Sequence, residues 1–368
     1  YLGDNLEVVP GRVFLTEGSY VTLPLLPRSY GTIIPGQTFP LTVMDYARTH
    51  MLRKCVEGDH TFGCIATRYH STVRNQELIG TTAEIFEFSD NHGTICIKAK
   101  ARQRFRVIKT RGISAGYFIA DVQILPEVKL LKPLFHVQLA SLNRLRTTQK
   151  DRCNKRDAIL TVWPSWVYDQ YDSEKLVQRV DKELTFLKQG LKKVNGKVAM
   201  PREPTELSFW IATHLDADER LFVIRLNSPI QRLRWELSLM NKCQKYSSKV
   251  YSCRTCRTQV GHQRDVFAMS VEGAQNTYVN PHGFLHETIT LRRVMNLSLV
   301  GSRSTQYSWF PGYSWCIAVC ETCHGHIGWQ FVATKRRMSP RKFWGLSRQS
   351  LTTVPVTGDQ HETTVPVM

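Results

Sequence analysis

Several signatures that would assign a function are missing from this chain of 368 residues. No run of 18 or more apolar residues occurs, so no membrane-spanning helix is expected. The start, Tyr1-Leu2-Gly3-Asp4, lacks the basic and apolar regions of a signal peptide, so none is expected, and because it also lacks Met the natural start is expected upstream. The chain also lacks a correctly spaced phosphate-binding loop, which argues against the enzyme class that uses one.

Acidic residues are scarce relative to basic ones. The chain has 49 Lys and Arg against 31 Asp and Glu, a net charge of +18. Such an excess favours acidic partners, and nucleic acid is one alternative. The charge is spread along the chain, however, and its densest cluster, Lys335-Arg336-Arg337 with Arg341-Lys342, is interrupted by residues 338–340. We therefore favour a solvated basic face over a nucleic-acid groove.

Ten cysteines are present, and four of them form two Cys-x-x-Cys pairs with 63 residues between the pairs. The pairs are Cys253-Arg254-Thr255-Cys256 and Cys320-Glu321-Thr322-Cys323. Four thiolates complete the tetrahedral site that structural zinc prefers, and the ion would join segments distant in the chain. A disulfide or a redox Cys-x-x-Cys pair is the alternative.

The other six cysteines are scattered through mostly apolar surroundings: Cys55, Cys64, Cys96, Cys153, Cys243 and Cys316. Free buried cysteine is ordinary in a reducing compartment. The expected location is therefore the cytoplasm and the nucleus.

Periodicity divides the chain into three regions. Alternating and β-branched segments up to residue 127 predict a compact, mostly antiparallel β unit. Helical spacing follows at 134–146 and at 173–193, where Asp172 or Ser173 can cap the helix, and again from Ser228-Pro229 to about 243. Short strands return at 247–350, and the polar, proline-bearing segment 351–368 is expected to be a disordered tail. The fold class is thus α+β, mostly β.

Three tryptophans, Trp309, Trp315 and Trp329, lie within 21 residues and flank the second cysteine pair. Such a group on a metal-held β scaffold could line a cage for a compact ligand with an apolar body and one polar edge. The simpler alternative is that the three indoles form the core of a small domain.

Longer segments of the chain are recognisable. In the C-terminal third they are Tyr278-Val279-Asn280-Pro281-His282-Gly283, His286-Glu287-Thr288, Ser308-Trp309-Phe310-Pro311-Gly312-Tyr313, His326-Ile327-Gly328-Trp329, Met338-Ser339-Pro340 and Lys342-Phe343-Trp344-Gly345-Leu346. In the first 246 residues they are Ile34-Pro35-Gly36-Gln37-Thr38, Gly80-Thr81-Thr82-Ala83-Glu84-Ile85, Arg102-Gln103-Arg104-Phe105, Val122-Gln123-Ile124-Leu125-Pro126-Glu127 and Gln231-Arg232-Leu233-Arg234. Together they resemble the cereblon family, the substrate receptors of cullin-4 RING ubiquitin ligases, over nearly the whole chain except its last 18 residues.

The resemblance implies an architecture and a set of partners. Residues 1–246 would form a Lon-like β domain, with a helical insertion at about 128–195 that docks onto the DNA-damage-binding adaptor of the ligase. Residues 247–350 would form the thalidomide-binding domain, a zinc-held β-tent. Its ligands would be glutarimide drugs and proteins that end in a cyclic imide, and the chain would not itself be an enzyme.

The resemblance also assigns site residues. Cys253, Cys256, Cys320 and Cys323 would hold one structural zinc ion. Trp309, Trp315 and Trp329 would line the imide cage, with Phe331 beneath it and Tyr307 and Ser308 just before it. Asn280, Pro281 and His282 would belong to a hairpin that folds over the ligand.

The chain departs from the family pattern at several positions, as a divergent or engineered member would. Tyr307 stands where the family has histidine, so binding there would depend on the backbone. Phe284 replaces a tyrosine of the hairpin, and Ala101 replaces a glycine. The insertion is shortened around 146–157, where family aromatics are absent, which bears on adaptor docking.

A second function class starts from the zinc-held β fold, which also resembles that of methionine sulfoxide reductases. In that case Cys316 would be the nucleophile and should be an exposed thiol of lowered pKa. Cys316 directly follows Trp315 in an apolar strand, which favours burial.

Overall fold

A computed structural model describes residues 6–8, 14–28, 32–66, 77–91, 93–148, 150–188, 200–215, 217–245, 250–269, 274–280 and 282–354. Two β domains with a helical region between them make up this part of the chain. Within it, none of the helices is both long and apolar enough to cross a membrane.

The N-terminal domain is a sheet in which β5, β4, β2, β7 and β6 pair in sequence, and β6 pairs back with β5 to close a ring. Its strands in the described residues are β1 (Glu7–Val8), β2 (Tyr20–Arg28), β3 (Thr38–Val43), β4 (Thr61–Ala66), β5 (Ile79–Asn91), β6 (Thr94–Gly112) and β7 (Phe118–Ile124). Alternation builds the core, because Ile95, Ile97 and Ala99 of β6 all point inward and are fully buried.

The sequence did not indicate two features of this ring. Strands β2 and β4 are parallel, and helix α1 (Tyr46–Glu57) lies between β3 and β4. Asp45 caps α1 by accepting a hydrogen bond from the Arg48 N–H at 3.1 Å. Only a few apolar residues of α1, among them Met51 and Leu52, enter the core, so the helical periodicity is weak.

Helices fill the chain between the two domains. They are α2 (Asn143–Thr148), α3 (Lys150–Ile159), α4 (Ser165–Tyr168), α5 (Ser173–Lys188), α6 (Pro204–Ala212), α7 (Ala217–Arg225) and α8 (Pro229–Lys245). Leu176 and Val180 of α5 pack against Leu207 of α6 and Leu233 of α8. Asp172 is the cap of α5, since its Oδ1 accepts from the Glu174 N–H at 2.9 Å.

The helix predicted at 134–146 is wrong over most of its length. Residues 135–137 and 140–142 form 3₁₀ turns, and the α-helix starts only at Asn143. Gln138 and Leu139, with ψ 119° and 125°, have extended backbones that interrupt the helical path between the two turns. Of the helix predicted at 173–193, residues 189–193 lie outside the described part.

A buried charge network ties the helices to the ring. Glu127 accepts hydrogen bonds from Arg104 of β6 at 2.8 Å and from Arg232 of α8 at 2.5 Å. Both arginine side chains are fully buried. Loss of the shared carboxylate would leave two buried cations unneutralised, so the network fixes α8 to the ring.

The C-terminal domain consists of a six-stranded antiparallel sheet, in the order β10-β11-β15-β14-β13-β12, and a three-stranded sheet, β16-β8-β9. Its described strands are β8 (Val250–Cys253), β9 (Gln259–His262), β10 (Gln275–Val279), β11 (Leu285–Leu291), β12 (Leu297–Ser304), β13 (Tyr313–Cys320), β14 (His326–Ala333), β15 (Lys342–Ser347) and β16 (Leu351–Val354). The disordered tail predicted from residue 351 is therefore wrong at its start. Leu351–Val354 pairs with Val250–Cys253, and 355–368 lie outside the described residues.

Polar and apolar side chains join the two domains, and Leu285 of the C-terminal domain packs against the core of the ring. Arg220 of α7 donates to Gln275 Oε1 of β10 at 2.8 Å, and Gln275 Nε2 donates to the His214 carbonyl at 3.0 Å. In the turn between β10 and β11, Gly283 has φ +79°, and a Cβ there would lie 3.3 Å from the Thr42 carbonyl of β3. The β10–β11 hairpin thus rests against the N-terminal domain.

Glu236 of α8 makes stability depend on pH. Its side chain is buried without a hydrogen-bond partner, and burial raises its pKa well above the usual value despite nearby Arg232. Above the usual glutamate pKa the unfolded chain releases a proton that the folded chain retains, so stability falls as pH rises. We expect Glu236→Gln to be more stable than the parent by on the order of 1–3 kcal/mol near pH 8, with a smaller difference at pH 5.

Urea unfolding at pH 5, 6, 7 and 8 measures this difference, with the exposed Glu57→Gln as the matched control. A constant difference between Glu236→Gln and the parent at all four pH values would show that Glu236 is ionised in the folded protein.

Candidate functional site

The two cysteine pairs form knuckles of the same geometry. Cys253 and Cys320 end strands β8 and β13, and each accepts at its carbonyl a 2.9 Å hydrogen bond from the N–H four residues later. The donors, Arg257 and His324, both have left-handed backbones, with φ 65° and 56°. This turn brings the second cysteine of each pair back beside the first, so each knuckle presents two sulfurs on one side.

The four sulfurs meet between the two sheets. Cys253 Sγ lies 3.6 Å from Cys323 Sγ, and Cys256 Sγ lies 3.5 Å from Cys320 Sγ. All four lie within 4.8 Å of one another. A tetrahedral zinc ion with Zn–S bonds of about 2.3 Å requires S···S separations of roughly 3.8 Å, so the arrangement fits zinc.

The disulfide alternative does not fit. A disulfide needs an S–S separation of about 2.05 Å, and all four cysteines are free thiols in the structure. Cys256 Sγ donates to the Thr258 hydroxyl oxygen at 3.2 Å. Hydrogen bonding with Thr258 lowers the pKa of Cys256 to about 6, whereas at Cys323, despite the Gly325 N–H, burial and the neighbouring thiols raise the pKa to about 12. A thiolate at neutral pH is the form that a metal ion binds.

The aromatic cage is set by strand register. In the β13–β14 pair, Trp315 lies opposite Phe331 and Ile317 lies opposite Trp329. Residues opposite one another share a face, as do residues two apart on a strand, so these four side chains lie on one face of the sheet. Phe331 is fully buried and the two indoles are half-buried, so Phe331 forms the floor.

Trp309 completes the cage from the loop before β13. Its ring lies 4.7 Å from that of Trp329, at 73°. Its Nε1 donates to the Val279 carbonyl at 3.0 Å, while Trp315 Nε1 donates to the Gln306 carbonyl at 2.8 Å. Beneath the indoles Phe331 packs with Phe310, at a centroid distance of 4.8 Å, in an aromatic core. The three indoles pack against this buried layer and stay partly exposed.

The hairpin residues predicted to cover the ligand lie next to Trp309. Asn280 Oδ1 accepts from the N–H groups of His282, at 3.1 Å, and Phe284, at 2.8 Å, so it shapes the turn. His282 is exposed, and Pro281 lies outside the described residues. The Val279–Trp309 bond therefore links this hairpin to the cage.

Tyr307 and Ser308 form the turn before Trp309. Tyr307 has a left-handed backbone, φ 54°, and its side chain is 58% exposed. Its phenol is therefore directed away from the buried aromatic layer. Ser308 Oγ donates to the Phe310 carbonyl at 3.1 Å, which stiffens the turn.

Two aromatic residues beside the cage were missed as site residues. Tyr278 stacks on Trp309, with ring centroids 5.0 Å apart at 10°, and His286 lies 5.4 Å from Trp309 and 5.0 Å from Trp329. Tyr278 and His286 are opposite one another in the β10–β11 pair. Burial, together with the charge of His326, lowers the pKa of His286 and favours its neutral form beside the indoles. Only the pairing of β10 with β11 could have indicated them.

Cys316 lacks the features of a nucleophile. It points to the face opposite the cage and is 3% exposed. Its Sγ lies 3.5 Å from the carbonyl oxygens of both Val300 and Gly301, to which a thiol donates. The reductase alternative needs an exposed nucleophile, so the burial of this thiol argues against it.

A separate cavity of about 560 Å³ lies away from the cage. Its lining, which includes Arg102, Glu203 and Trp210, comes from the ring, from α6 and the residues just before it, and from Asn276 of β10. Charges of both signs line it, and Arg102 is already paired with Glu84 at 2.5 Å. None of the predicted site residues contributes to it.

Comparison with known proteins places each half of the chain. Residues 22–242 match the ATP-dependent protease La (LON) substrate-binding domain. Residues 249–364 match the family described as Yippee zinc-binding/DNA-binding/Mis18, centromere assembly. The fold and the site thus define a Lon-type substrate-binding domain joined to a Yippee-type zinc domain, which confirms the predicted fold class and the structural zinc.

Relatives match the chain across both of its domains. The chain is 39% identical to Protein cereblon of Gallus gallus, covering 95% of this chain and 82% of that protein. It is 39% identical to Protein cereblon of Danio rerio (95% and 85% covered) and 31% identical to that of Drosophila yakuba (95% and 60% covered). The chain belongs to the cereblon family, as its sequence segments predicted. This membership supports a cereblon-type substrate receptor rather than a catalytic enzyme.

A solved structure, the Lon N-terminal domain protein from Xanthomonas campestris, is 17% identical with a TM-score of 0.32, covering 59% of this chain and 98% of that one. At that score the likeness adds nothing to the fold assignment, which rests on the family matches.

Replacing one zinc ligand should release the ion and unfold the knuckles. We expect the parent to bind one zinc ion per chain and Cys320→Ser to bind it more weakly by on the order of 100-fold or more. Zinc content by mass spectrometry under native conditions and thermal unfolding measure both effects. The control is Cys96→Ser in the N-terminal domain, which should keep the ion. A Cys320→Ser protein with full zinc content and unchanged unfolding would contradict the four-thiolate site.

Proposed function

We propose that this protein is the substrate-recognition subunit of a cullin-4 RING ubiquitin ligase. It would bind cyclic imides, both glutarimide drugs and proteins ending in a cyclic imide, and present the bound proteins for ubiquitination. The cytoplasm and the nucleus, where thiols stay reduced, are the proposed location. The observation that carries the proposal is the group of half-buried indoles on one face of a zinc-held sheet.

An imide suits this group chemically. Its ring is small and flat with an apolar face, and one edge carries an N–H between two carbonyls. Trp315 and Trp329 offer apolar faces above the Phe331 floor. The turn at 307–309 brings backbone N–H and carbonyl groups beside them, which can meet the polar edge of the imide.

Tyr307, which stands where the family has histidine, is compatible with recognition of the imide through backbone groups. The Tyr307 side chain is exposed, and the turn holds its backbone in a left-handed conformation. Recognition through the backbone is therefore independent of the side chain at this position.

The cage is also connected to the other domain. Trp309 Nε1 donates a hydrogen bond to the Val279 carbonyl. The turn of the β10–β11 hairpin comes directly after Val279, and Gly283 in that turn lies against Thr42 of β3. A ligand that holds Trp309 in place therefore stabilises the hairpin against the N-terminal domain. Binding and domain contact would be coupled in the same protein.

Glutarimide binding tests the cage. Titration of the zinc-loaded protein with glutarimide, followed by tryptophan fluorescence, should give saturable binding. We expect Trp315→Ala to weaken this binding by about 10-fold or more, because an apolar wall of the cage is lost. The exposed Trp163→Ala is the matched control and should bind normally. Equal affinity in Trp315→Ala and the parent would rule out this cage as the imide site.

The helical region supports the ligase half of the proposal. Apolar side chains that would normally be buried are exposed there: Val128, Leu130, Leu131, Phe135, Leu139, Leu145, Ile159, Leu160, Val162, Trp163, Trp166 and Tyr171. Val162 is 90% exposed, Trp166 62% and Trp163 58%. Concentrated exposure of this kind marks a protein-binding surface. Although 146–157 lacks the family aromatics, Trp163 and Trp166 provide anchors further along the chain.

Mixing with the DNA-damage-binding adaptor of cullin-4 ligases tests this surface. We expect the parent to form a complex and the double variant Trp163→Ala, Trp166→Ala to bind at least about 30-fold more weakly, as buried aromatic anchors do. Tyr20→Ala, at a similarly exposed site on β2, should leave binding unchanged. Calorimetric titration measures the affinity of all three proteins for the adaptor. Full affinity in the double variant would exclude this surface as the docking site.

A further inference from the structure

The hairpin between β14 and β15 carries the densest positive charge of the chain. Lys335, Arg336, Arg337, Arg341 and Lys342 occupy eight positions, and all five are exposed. In the described part of the chain none of them forms an ion pair with a carboxylate, and Arg341 Nη1 donates to the Arg336 carbonyl at 2.9 Å. The five charges therefore repel one another without local neutralisation.

The surrounding sequence offers no neutralisation either. Residues 288–358 contain nine Lys and Arg but a single acidic residue, Glu321, which lies in the second cysteine knuckle. A positive field of this extent attracts an acidic partner over about 10 Å at ordinary ionic strength. We call residues 334–342 the basic hairpin.

The basic hairpin is fastened to the loop that carries the cage. Thr334 donates through its N–H, at 2.9 Å, and its Oγ1, at 2.8 Å, to the Gly312 carbonyl. Tyr313 Oη donates to the Pro340 carbonyl at 2.9 Å. A Cβ at Gly312, which has φ +84°, would lie 2.6 Å from Met338 Cε, so glycine permits this close packing.

Gly312 follows Trp309 by three residues, so their Cα atoms are at most roughly 11 Å apart. With the reach of an arginine side chain, the charges lie within roughly 20 Å of the cage. An extended peptide covers this distance in about six residues. One bound chain can therefore reach both the cage and the basic hairpin.

We propose that the basic hairpin binds acidic side chains within about six residues before the cyclic imide, so that the receptor selects acidic C-terminal segments. This inference rests on the proposed function of the cage. A nucleic acid fits less well, because 334–342 contain no aromatic residue on which a base could stack, and Phe343 and Trp344 are buried. An acidic peptide needs only the exposed charges.

Two peptides that end in the same glutarimide test the inference, one with six glutamates before the imide and one with six glutamines. We expect the zinc-loaded parent to bind the glutamate peptide about 5–10-fold more tightly at 50 mM salt, with little difference at 500 mM. The double variant Arg336→Gln, Arg337→Gln should lose most of this preference while binding free glutarimide as the parent does. Arg264→Gln, Arg293→Gln, which removes two exposed charges elsewhere in the domain, should keep the preference.

The outcomes separate the two proposals. Intact binding of free glutarimide with equal affinity for both peptides overturns the basic hairpin alone. No binding of free glutarimide overturns the cage, and the selection of acidic imide peptides with it. If a twelve-residue oligothymidylate displaces the glutamate peptide at lower concentration than unlabelled peptide does, the hairpin is a nucleic-acid site and the inference is overturned. Normal zinc content in each variant shows that the domain is folded.

Discussion

Four sulfurs between two sheets are the constraint on which the C-terminal domain depends. Cys253 belongs to the three-stranded sheet and Cys320 to the six-stranded sheet, so a bound ion joins the sheets at the end of β8 and β13. Thiolates 3.5–3.6 Å apart repel one another strongly without a cation between them. Because 63 residues lie between the knuckles, closing this loop costs chain entropy that metal binding offsets.

The positions of Trp315 and Trp329 depend on this cysteine site. Trp315 lies on the strand that ends at Cys320, and Trp329 lies on β14, which begins three residues after Cys323. Fixing the knuckle therefore fixes where both strands begin or end, and the register of β13 with β14 then decides which side chains face outward together. Trp309 is less directly fixed, since it lies in a loop and relies on its bond to Val279. The hairpin is accordingly the part of the site whose position other contacts can change.

A structural feature could be predicted from the sequence when the residues that determine it are neighbours in the chain. Cysteine spacing within a knuckle is local, and the resemblance identified both domains. A cap at Asp172 or Ser173 was expected because a cap is read from neighbouring residues, and the cap is Asp172. The stacking of Tyr278 on Trp309, by contrast, depends on strand pairing across the sheet.

Other features depend on contacts between distant segments, which a single sequence does not encode in its periodicity. The parallel pairing of β2 with β4 and the burial of Glu236 are of this kind. The helix expected at 134–146 failed for a local reason instead, because apolar spacing gives no sign of the extended backbones at Gln138 and Leu139.

The contacts that join the proposed substrate side to the proposed ligase side differ in kind along the path. Glu127 with Arg104 and Arg232 fixes α8 to the ring through fully buried arginines, and α8 packs on α5. The contact between the domains includes the Arg220–Gln275 and Gln275–His214 hydrogen bonds, Leu285 against the core of the ring, and the β10–β11 hairpin on β3. Because the Val279 carbonyl of the same hairpin accepts the Trp309 hydrogen bond, the proposed imide site and the contact between the domains share one structural element. Under the proposed function, a ligand held beside Trp309 would therefore act on the contact between the domains through this hairpin.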